Sequence, residues 1–271
     1  MTESLEKSNG NIAEDVSKLS KSREADWPTV LFFIHIHLLS LYGLWLFVFE
    51  ISWLTFIHFA LLSSLAVLGV TAGAHRLWAH RTYKASTGLR VFLMLCQTLA
   101  GQGTIYDWVQ NHRLHHAHFS TEGDPYDSRR GFLYAHILTR LRKLSPYQQK
   151  LKEQIDMSDL DDDFVITVQR KYPADSNAVF LLDKTFWPQF HYIMPQDYKS
   201  GEYGNYDDGC TTAFIKVCAA LELATNLKTV ETSTVQSALA KAAKTKGNIR
   251  ACLEEATTKQ HLPAEHYLRR G

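Results

Sequence analysis

The feature that most limits how this chain can fold is a long stretch without charge. Between Arg23 and Arg76 the sequence has no lysine or arginine, and from Pro28 to Ala74 its only acidic residue is Glu50. A helix that crosses a bilayer needs about 20 predominantly apolar residues, more than an ordinary soluble helix contains. The stretch therefore indicates a part of the chain that is embedded in a membrane.

Glu50 lies between two apolar runs, residues 28–49 and residues 53–74. At about 1.5 Å per residue, each run is long enough as a helix to cross a hydrocarbon layer of about 30 Å. Only a few residues separate the runs, so they are expected to form a hairpin. The sequence predicts an all-α integral membrane protein built on a helical hairpin of two transmembrane spans.

Basic residues orient this hairpin, because they flank its outer ends and are absent from its turn. They are Lys18, Lys21, Arg23, Arg76, Arg81 and Lys84. By the positive-inside rule, both outer ends and both termini are predicted to be cytosolic. Residues 1–26 are polar without an apolar period and are predicted to form a disordered cytosolic arm. The formal net charge of +1 gives no basic field, so nucleic acid is not indicated as a partner.

Three histidines follow the hairpin within one short segment: His112, His115 and His116. On a helix, residues three and four positions apart lie on the same face, so the three imidazoles would point toward one spot. Imidazole binds iron, zinc, copper or nickel, and the pattern favours a metal half-site on a histidine-rich helical cap in the cytosol. The alternative is a polar helix face that is rich in histidine and binds no metal.

A second pair, His75 and His80, lies where the second span leaves the bilayer. Residues five positions apart on an ideal α-helix are about 140° from each other, so these two can share a metal only if the helix ends or bends there. The pair is a weak signal by itself. Beside the three later histidines it becomes a second group of ligands on the same side of the membrane.

A basic cluster of Arg140, Arg142 and Lys143 occurs between Tyr134 and Leu144. Such a cluster suits phosphates or anionic lipid headgroups, although a solvated helix flank explains it equally well. The apolar segment 89–99 is too short to span a bilayer and is predicted to be an interfacial helix.

Two further helices are predicted in the remainder of the chain. Ser158, with Asp161 three residues later, resembles a helix start, and this helix would run to about Tyr172 with the acidic run in its first turn. Near the end of the chain, apolar residues at helical spacing predict a helix that stops at about Gly247. These residues are Val235, Ala238, Leu239 and Ala242.

Several motifs occur together in this sequence. They are GAHRLWAHR at residues 73–81, HRLHH at 112–116, Asp124-Pro125, SRRGF at 128–132 and IDMSDL at 155–160. In combination they closely resemble the membrane-bound acyl-CoA desaturases, especially the insect stearoyl-CoA Δ9-type group. The resemblance is almost continuous over residues 27–172, and it resumes at Pro195 in a C-terminal region that extends to about residue 231.

This resemblance implies a four-span enzyme of the endoplasmic reticulum membrane, with two irons held by histidines on a cytosolic cap. Such enzymes use dioxygen and electrons from cytochrome b5 to introduce a cis double bond into a saturated fatty acyl-CoA. Arg142 and Lys143 match a basic pair expected near the coenzyme A phosphates. A related membrane hydroxylase is a further interpretation, but HRLWAH and DMSDL favour desaturation. The residues that match the first two histidine boxes are His75, His80, His112, His115 and His116.

The sequence departs from the family after Tyr172. Residues 173–190 stand where the third and fourth spans are expected, yet their longest apolar run is the five residues 178–182, which cannot cross a bilayer. In residues 191–231 the third histidine box is reduced to His191, and a helical tail follows at 232–271. One interpretation is a desaturase with impaired activity and an incomplete iron centre. The other is a truncated relative that acts as a non-catalytic partner, in homo- or hetero-oligomers with intact desaturases.

Overall fold

The computed structural model describes residues 19–171, 194–200, 206–207, 209–245 and 251–255. This part of the chain is mostly helical, as predicted. The helices are α1 (Trp27–Phe49), α2 (Trp53–Leu68), a π-helix (Gly69–Ala79), α3 (Thr87–Leu99), α4 (Ile105–Ala117), α5 (Phe132–His136), α6 (Pro146–Glu153), α7 (Ser158–Asp161), α8 (Phe164–Lys171), α9 (Cys210–Ala220) and α10 (Thr232–Thr245), with 3-10 turns at Ser128–Arg130 and Leu138–Leu141. Strands β1 (Lys84–Ala85) and β2 (Ala224–Thr225) pair antiparallel, with Lys84 opposite Thr225.

Two helices are long and apolar enough to cross a membrane. They are α1, with 23 residues, and the continuous helix Trp53–Ala79, with 27 residues, which includes α2 and the π-helix. Near the turn between them, the ring of Phe47 lies 5.9 Å from the rings of both Phe56 and Phe59. No residue of α1 is buried against described protein, and an apolar helix in that situation favours a lipid environment. The two helices are consistent with the predicted hairpin, while its orientation stays a prediction.

The described residues form two compact units. The first unit contains residues 19–65 and 100–171, and in it α4 packs against α6 and α8. The second unit contains residues 66–99 and the described residues between 194 and 255, and in it the π-helix packs against α3. The predicted helix at residues 89–99 is present as α3, which begins at Thr87.

The predicted helix near the end of the chain is confirmed as α10. The core of this region is built from Met194, Val230 and Leu253 together with two α10 side chains, Val235 and Ala238. Ala242 of α10 is also buried, and Leu239 is partly buried against the same core. The proposed stop at Gly247 lies outside the described residues.

The single helix predicted from Ser158 to Tyr172 is wrong. The structure has two short helices instead, α7 and α8, with a break at Asp162 and Asp163. A side-chain oxygen of Asp163 accepts a hydrogen bond from the Val165 N–H at 2.9 Å, and this bond caps the second helix. Acidic residues of this run therefore lie in the first turn of α7 and also cap the start of α8. Tyr172, the predicted end of the helix, lies outside the described residues.

Candidate metal centre and basic cavity

Helix α4 brings three predicted site histidines together. The ring centroids of His112 and His116 are 4.6 Å apart, those of His115 and His116 5.5 Å, and those of His112 and His115 6.2 Å. Thr104 caps the helix, because its hydroxyl oxygen accepts the Asp107 N–H at 3.1 Å. The α-helical spacing then places the three imidazoles on one face, as expected.

A buried carboxylate orients one of these rings. The Nδ1 atom of His115 lies 2.8 Å from the Oδ1 atom of Asp124, and Asp124 is 1% exposed. The same oxygen of Asp124 accepts the Tyr126 N–H at 2.8 Å, which fixes the carboxylate in place. When a carboxylate accepts a hydrogen bond from one ring nitrogen, the other ring nitrogen faces away from the carboxylate and can bind a metal. This arrangement is typical of metal-binding histidines. The Asp124-Pro125 motif in the sequence gives no sign of this role.

Two other contacts hold α4. The indole of Trp108 stacks on the His112 ring with centroids 4.8 Å apart, and its Nε1–H donates to the Gln102 side-chain oxygen at 2.9 Å. Arg113 is buried, and its two Nη atoms donate to the two carboxylate oxygens of Asp159 at 2.8 Å each. Sequence reasoning assigned Asp159 only to a helix end, and no local pattern links it to Arg113, which lies 46 residues earlier.

The π-helix brings His75 and His80 together in the second unit. The His80 N–H donates to the His75 carbonyl at 3.0 Å, and this bond spans five residues instead of the four of an α-helix. The wider turn places the two side chains close together, with ring centroids 4.7 Å apart. Both histidines are buried. The sequence required the α-helix to end or bend here if the two histidines were to share a metal. In the structure, the α-helix changes to a π-helix instead.

These histidines have the chemistry of a transition-metal site. His75 and His80 in the second unit and His112 in the first are all buried, and each unit therefore contributes imidazole donors of the kind that binds a metal ion. Buried imidazole nitrogens suit iron, zinc or copper, and the Asp124–His115 pair supplies the carboxylate support that such sites commonly have. The remaining predicted ligand, His191, lies outside the described residues.

The first unit also contains a cavity of about 990 Å³. Its wall includes both members of the predicted substrate-binding pair, Arg142 and Lys143, as well as three further cations: Arg23, Arg140 and Lys152. Burial lowers the pKa of the Lys152 ammonium group, because the charged form loses solvation. Phe32 and Phe33 of α1 contribute apolar surface to the same cavity. The cavity is therefore suited to a ligand with both anionic and apolar parts.

Arg23 builds one side of this cavity, although the sequence placed it in the arm. Its Nε atom donates to the Lys143 carbonyl at 2.8 Å and its Nη2 atom to the Arg142 carbonyl at 2.7 Å. The guanidinium also donates to the Thr139 hydroxyl and carbonyl and to the Pro125 carbonyl, at 2.7–2.9 Å. Residues 19–26 are thus held against the basic segment, whereas residues 1–18 of the predicted arm lie outside the described residues.

Comparison with known proteins identifies similar sequences. None of the protein-family models matches the chain. An acyl-CoA Delta-9 desaturase of Acheta domesticus is 34% identical, over 79% of this chain and 78% of the relative. An acyl-CoA Delta-12 desaturase of Tribolium castaneum is 33% identical over 75% of each chain. The Delta(9)-fatty-acid desaturase fat-6 of Caenorhabditis elegans is 38% identical, over 67% of this chain and 56% of the relative.

In the alignment with the Acheta domesticus protein, this chain leaves many positions unfilled. The alignment extends over 279 positions, whereas 79% of this 271-residue chain is only about 214 residues. About 65 aligned positions are therefore filled in the relative alone. Two membrane crossings of about 20 residues each, with their connections, would account for this number of positions.

Proposed function

Because the chain belongs to the acyl-CoA desaturases, we propose that it is a di-iron, dioxygen-dependent desaturase by descent, with a saturated fatty acyl-CoA as its substrate. The single observation that carries this proposal is that each unit has its own close group of histidines, His75 with His80 in one and His112, His115 and His116 in the other, with His115 held by Asp124. The proposed ligands are His75, His80, His112, His115, His116 and His191. The relatives include Delta-9, Delta-11 and Delta-12 enzymes, so the Δ9 position is part of the proposal.

The metal proposed for these histidines is iron, and it would supply the power to oxidise an unactivated methylene group with dioxygen. The protein's own contribution is to hold the imidazoles in place before the metal binds. Asp124 keeps a proton between itself and the Nδ1 atom of His115, which leaves the Nε2 atom as the donor. Trp108 shields one face of His112 from water through its stacked ring.

We assign the basic cavity to the coenzyme A part of the substrate. Arg142 and Lys143 would bind phosphates, since both line the cavity and Arg23 fixes the carbonyl of each. Replacing both with glutamine should weaken the binding of free coenzyme A at least about tenfold, and calorimetry on the detergent-solubilised chain measures it. The matched control is Arg170→Gln, because Arg170 is an exposed cation of the same unit that pairs with Asp161. Equal affinities for the variants would contradict the assignment.

We further propose that desaturation by this chain alone is weak or absent. Support comes from the unfilled alignment positions and from residues 173–190, which lack two spans of sufficient length. The test is growth of a desaturase-deficient yeast that expresses the chain. We expect no growth without added unsaturated fatty acid, and growth that His112→Ala abolishes and His136→Ala does not would overturn this proposal. His136 lies on α5 and stacks on Phe132, outside the histidine groups.

The same unfilled positions favour a second candidate function, a non-catalytic partner of intact desaturases. The chain would then form hetero-oligomers in the endoplasmic reticulum membrane, with both termini cytosolic, and leave electron transfer from cytochrome b5 to the intact partner. Iron content per purified chain separates the two functions. Close to two irons indicates a complete centre, whereas one or none, together with co-purification of a tagged intact desaturase, indicates the partner.

A further inference from the structure

A short apolar surface of the first unit is exposed beside a group of arginines. Phe132 and Leu133 of α5 are 59% and 58% exposed, and Ile137 directly after the helix is 48% exposed. Leu133 and Ile137 are four residues apart and so lie on one side, while Tyr134 between them is buried. Exposed apolar side chains that cluster in this way mark an interaction surface.

Cations surround this surface. Arg129 and Arg130 precede α5, and Arg140 follows Ile137 in the next 3-10 turn. Arg129 is paired with Asp127 and Arg140 lines the basic cavity, so Arg130 is the cation of this group that we consider for the lipid surface. The Arg130 guanidinium lies over the Tyr134 ring, 3.7 Å from its centroid. Since Tyr134 lies between Leu133 and Ile137 in the sequence, this contact keeps the charge close to the apolar segment. An apolar patch bordered by arginine is the composition of segments that lie in a membrane interface with anionic lipids.

The contact between residues 128–141 and the start of the first span also favours lipid as the partner. The Leu141 carbonyl accepts the Asp26 N–H at 2.9 Å, and α1 begins at the next residue, Trp27. At about 2 Å of rise per residue, the four residues of the 3-10 turn advance roughly 8 Å along its axis. A headgroup layer is roughly 5–8 Å thick. If α1 spans a bilayer, its first turn and the end of the segment at residue 141 therefore lie at the level of the headgroups, and the rest of the segment continues from there.

We propose that residues 128–141 are a lipid-binding segment that lies on the membrane surface. Phe132, Leu133 and Ile137 enter the boundary between headgroups and acyl chains, and Arg130 binds phosphates of anionic lipids. This surface differs from the basic cavity, because Arg130 and the three apolar side chains do not line that cavity, whereas Thr139 and Arg140 of the segment do. It holds whether or not the chain desaturates an acyl-CoA.

The test places a fluorescent label on Leu133→Cys in a Cys210→Ser background, since Cys210 is the exposed native cysteine of the described residues. The full chain is reconstituted in phosphatidylcholine vesicles, with and without phosphatidylserine. We expect quenching by a nitroxide on the lipid, and quenching by aqueous iodide at least about fivefold weaker than at Glu153→Cys, an exposed position of α6. Phosphatidylserine should strengthen the protection from iodide, and Arg130→Gln should remove that gain.

Two controls keep the test decisive. Leu38→Cys in α1 reports whether the span itself is in lipid, and the background without a new cysteine corrects for labelling of Cys252. Equal iodide quenching at Leu133→Cys and Glu153→Cys would overturn the proposal. Protection from both quenchers would also overturn it, because protein would then cover the surface. No change with phosphatidylserine would exclude the anionic headgroup as the ligand.

Discussion

The two histidine groups are held by helices of different kinds. His112, His115 and His116 lie on a regular α-helix, where spacing by three and four residues is enough to place their rings together. His75 lies on a π-helix and His80 is the residue that caps its end, and the wider turn is needed to bring residues five apart onto one side. The first group therefore depends on local geometry, and the second depends on whatever holds the π-helix in its wider form.

The contact that holds the π-helix is a close approach to α3. A Cβ atom added to Gly69 would lie 2.2 Å from the backbone nitrogen of Gln97 and 2.3 Å from the carbonyl carbon of Cys96. Backbone atoms of a packed helix cannot move aside, so any larger residue at position 69 must separate the two helices. We therefore expect the geometry of the His75 and His80 pair to depend on Gly69, which is not itself a proposed ligand.

The largest expected effect breaks this contact. Gly69→Ala should lower the free energy of unfolding by about 3 kcal/mol or more, because overpacking meets backbone here. Urea unfolding in detergent, followed by circular dichroism, measures the loss. The matched control is Gly88→Ala in α3, where a Cβ atom meets nothing within 4 Å and a small gain of up to about 1 kcal/mol is expected. Similar results for the two variants would contradict the dependence of the π-helix on α3.

A somewhat smaller loss is expected on the α4 side. Arg113→Met removes one partner of the ion pair with Asp159, and the cost should be about 2–4 kcal/mol, below the extreme for buried pairs because Asp159 is one-third exposed. The same unfolding experiment measures it. Arg170→Gln, which removes an exposed ion pair with Asp161, should cost less than about 1 kcal/mol. If Arg113→Met unfolds no more easily than Arg170→Gln, α4 is held by other contacts.

The third prediction concerns the metal and leaves the fold intact. Asp124→Asn keeps the size of the side chain but removes the charge that supports His115, so metal affinity should fall about tenfold to a hundredfold. Titration with Co²⁺, followed through its visible absorption, measures this affinity. Asp127→Asn is the control, since Asp127 is a nearby carboxylate that pairs with Arg129. Equal affinities for the two variants would remove Asp124 from the centre.

The smallest effect is a pH dependence in the second unit. Asp197 accepts hydrogen bonds from the Tyr206 hydroxyl and the Val230 N–H, yet burial raises the pKa of its carboxyl group above 3.8. The native state then holds its proton to higher pH than the unfolded state. The stabilising contribution is fully present below pH 3.8 and is lost as pH rises through the native pKa.

This pH dependence matters for the π-helix, because Asp197 lies in the turn whose Tyr198 and Ser200 carbonyls accept from Arg76. Between pH 3.8 and the native pKa of Asp197, the wild type should lose stability relative to Asp197→Asn as the pH rises. The loss should be at most about 1.4 kcal/mol per pH unit. Unfolding midpoints at several pH values measure it. A difference that is constant with pH would show that the carboxyl group does not change protonation state on unfolding.

The sequence was sufficient where a pattern is local. The apolar runs predicted both long helices, and spacing alone predicted the shared face of His112, His115 and His116. It was insufficient where a distant residue decides the geometry. The closeness of His75 and His80 depends on α3 and Gly69. The roles of Asp159 and Arg23 depend on partners about 46 and more than 100 residues away. Asp124 is only nine residues from His115, but its role depends on the turn between them.

The burial of Arg23 has a consequence for how proteases meet this chain. Trypsin cleaves after exposed lysine and arginine, and the two candidate sites of this segment lie only two residues apart. Lys21 has a half-exposed side chain that pairs with Glu122 at the surface, whereas the Arg23 guanidinium is enclosed by carbonyls. In the folded protein, trypsin should therefore cut after Lys21 and spare Arg23. Cleavage after Arg23 would then serve as a simple signal that the N-terminal segment has detached from the cavity wall.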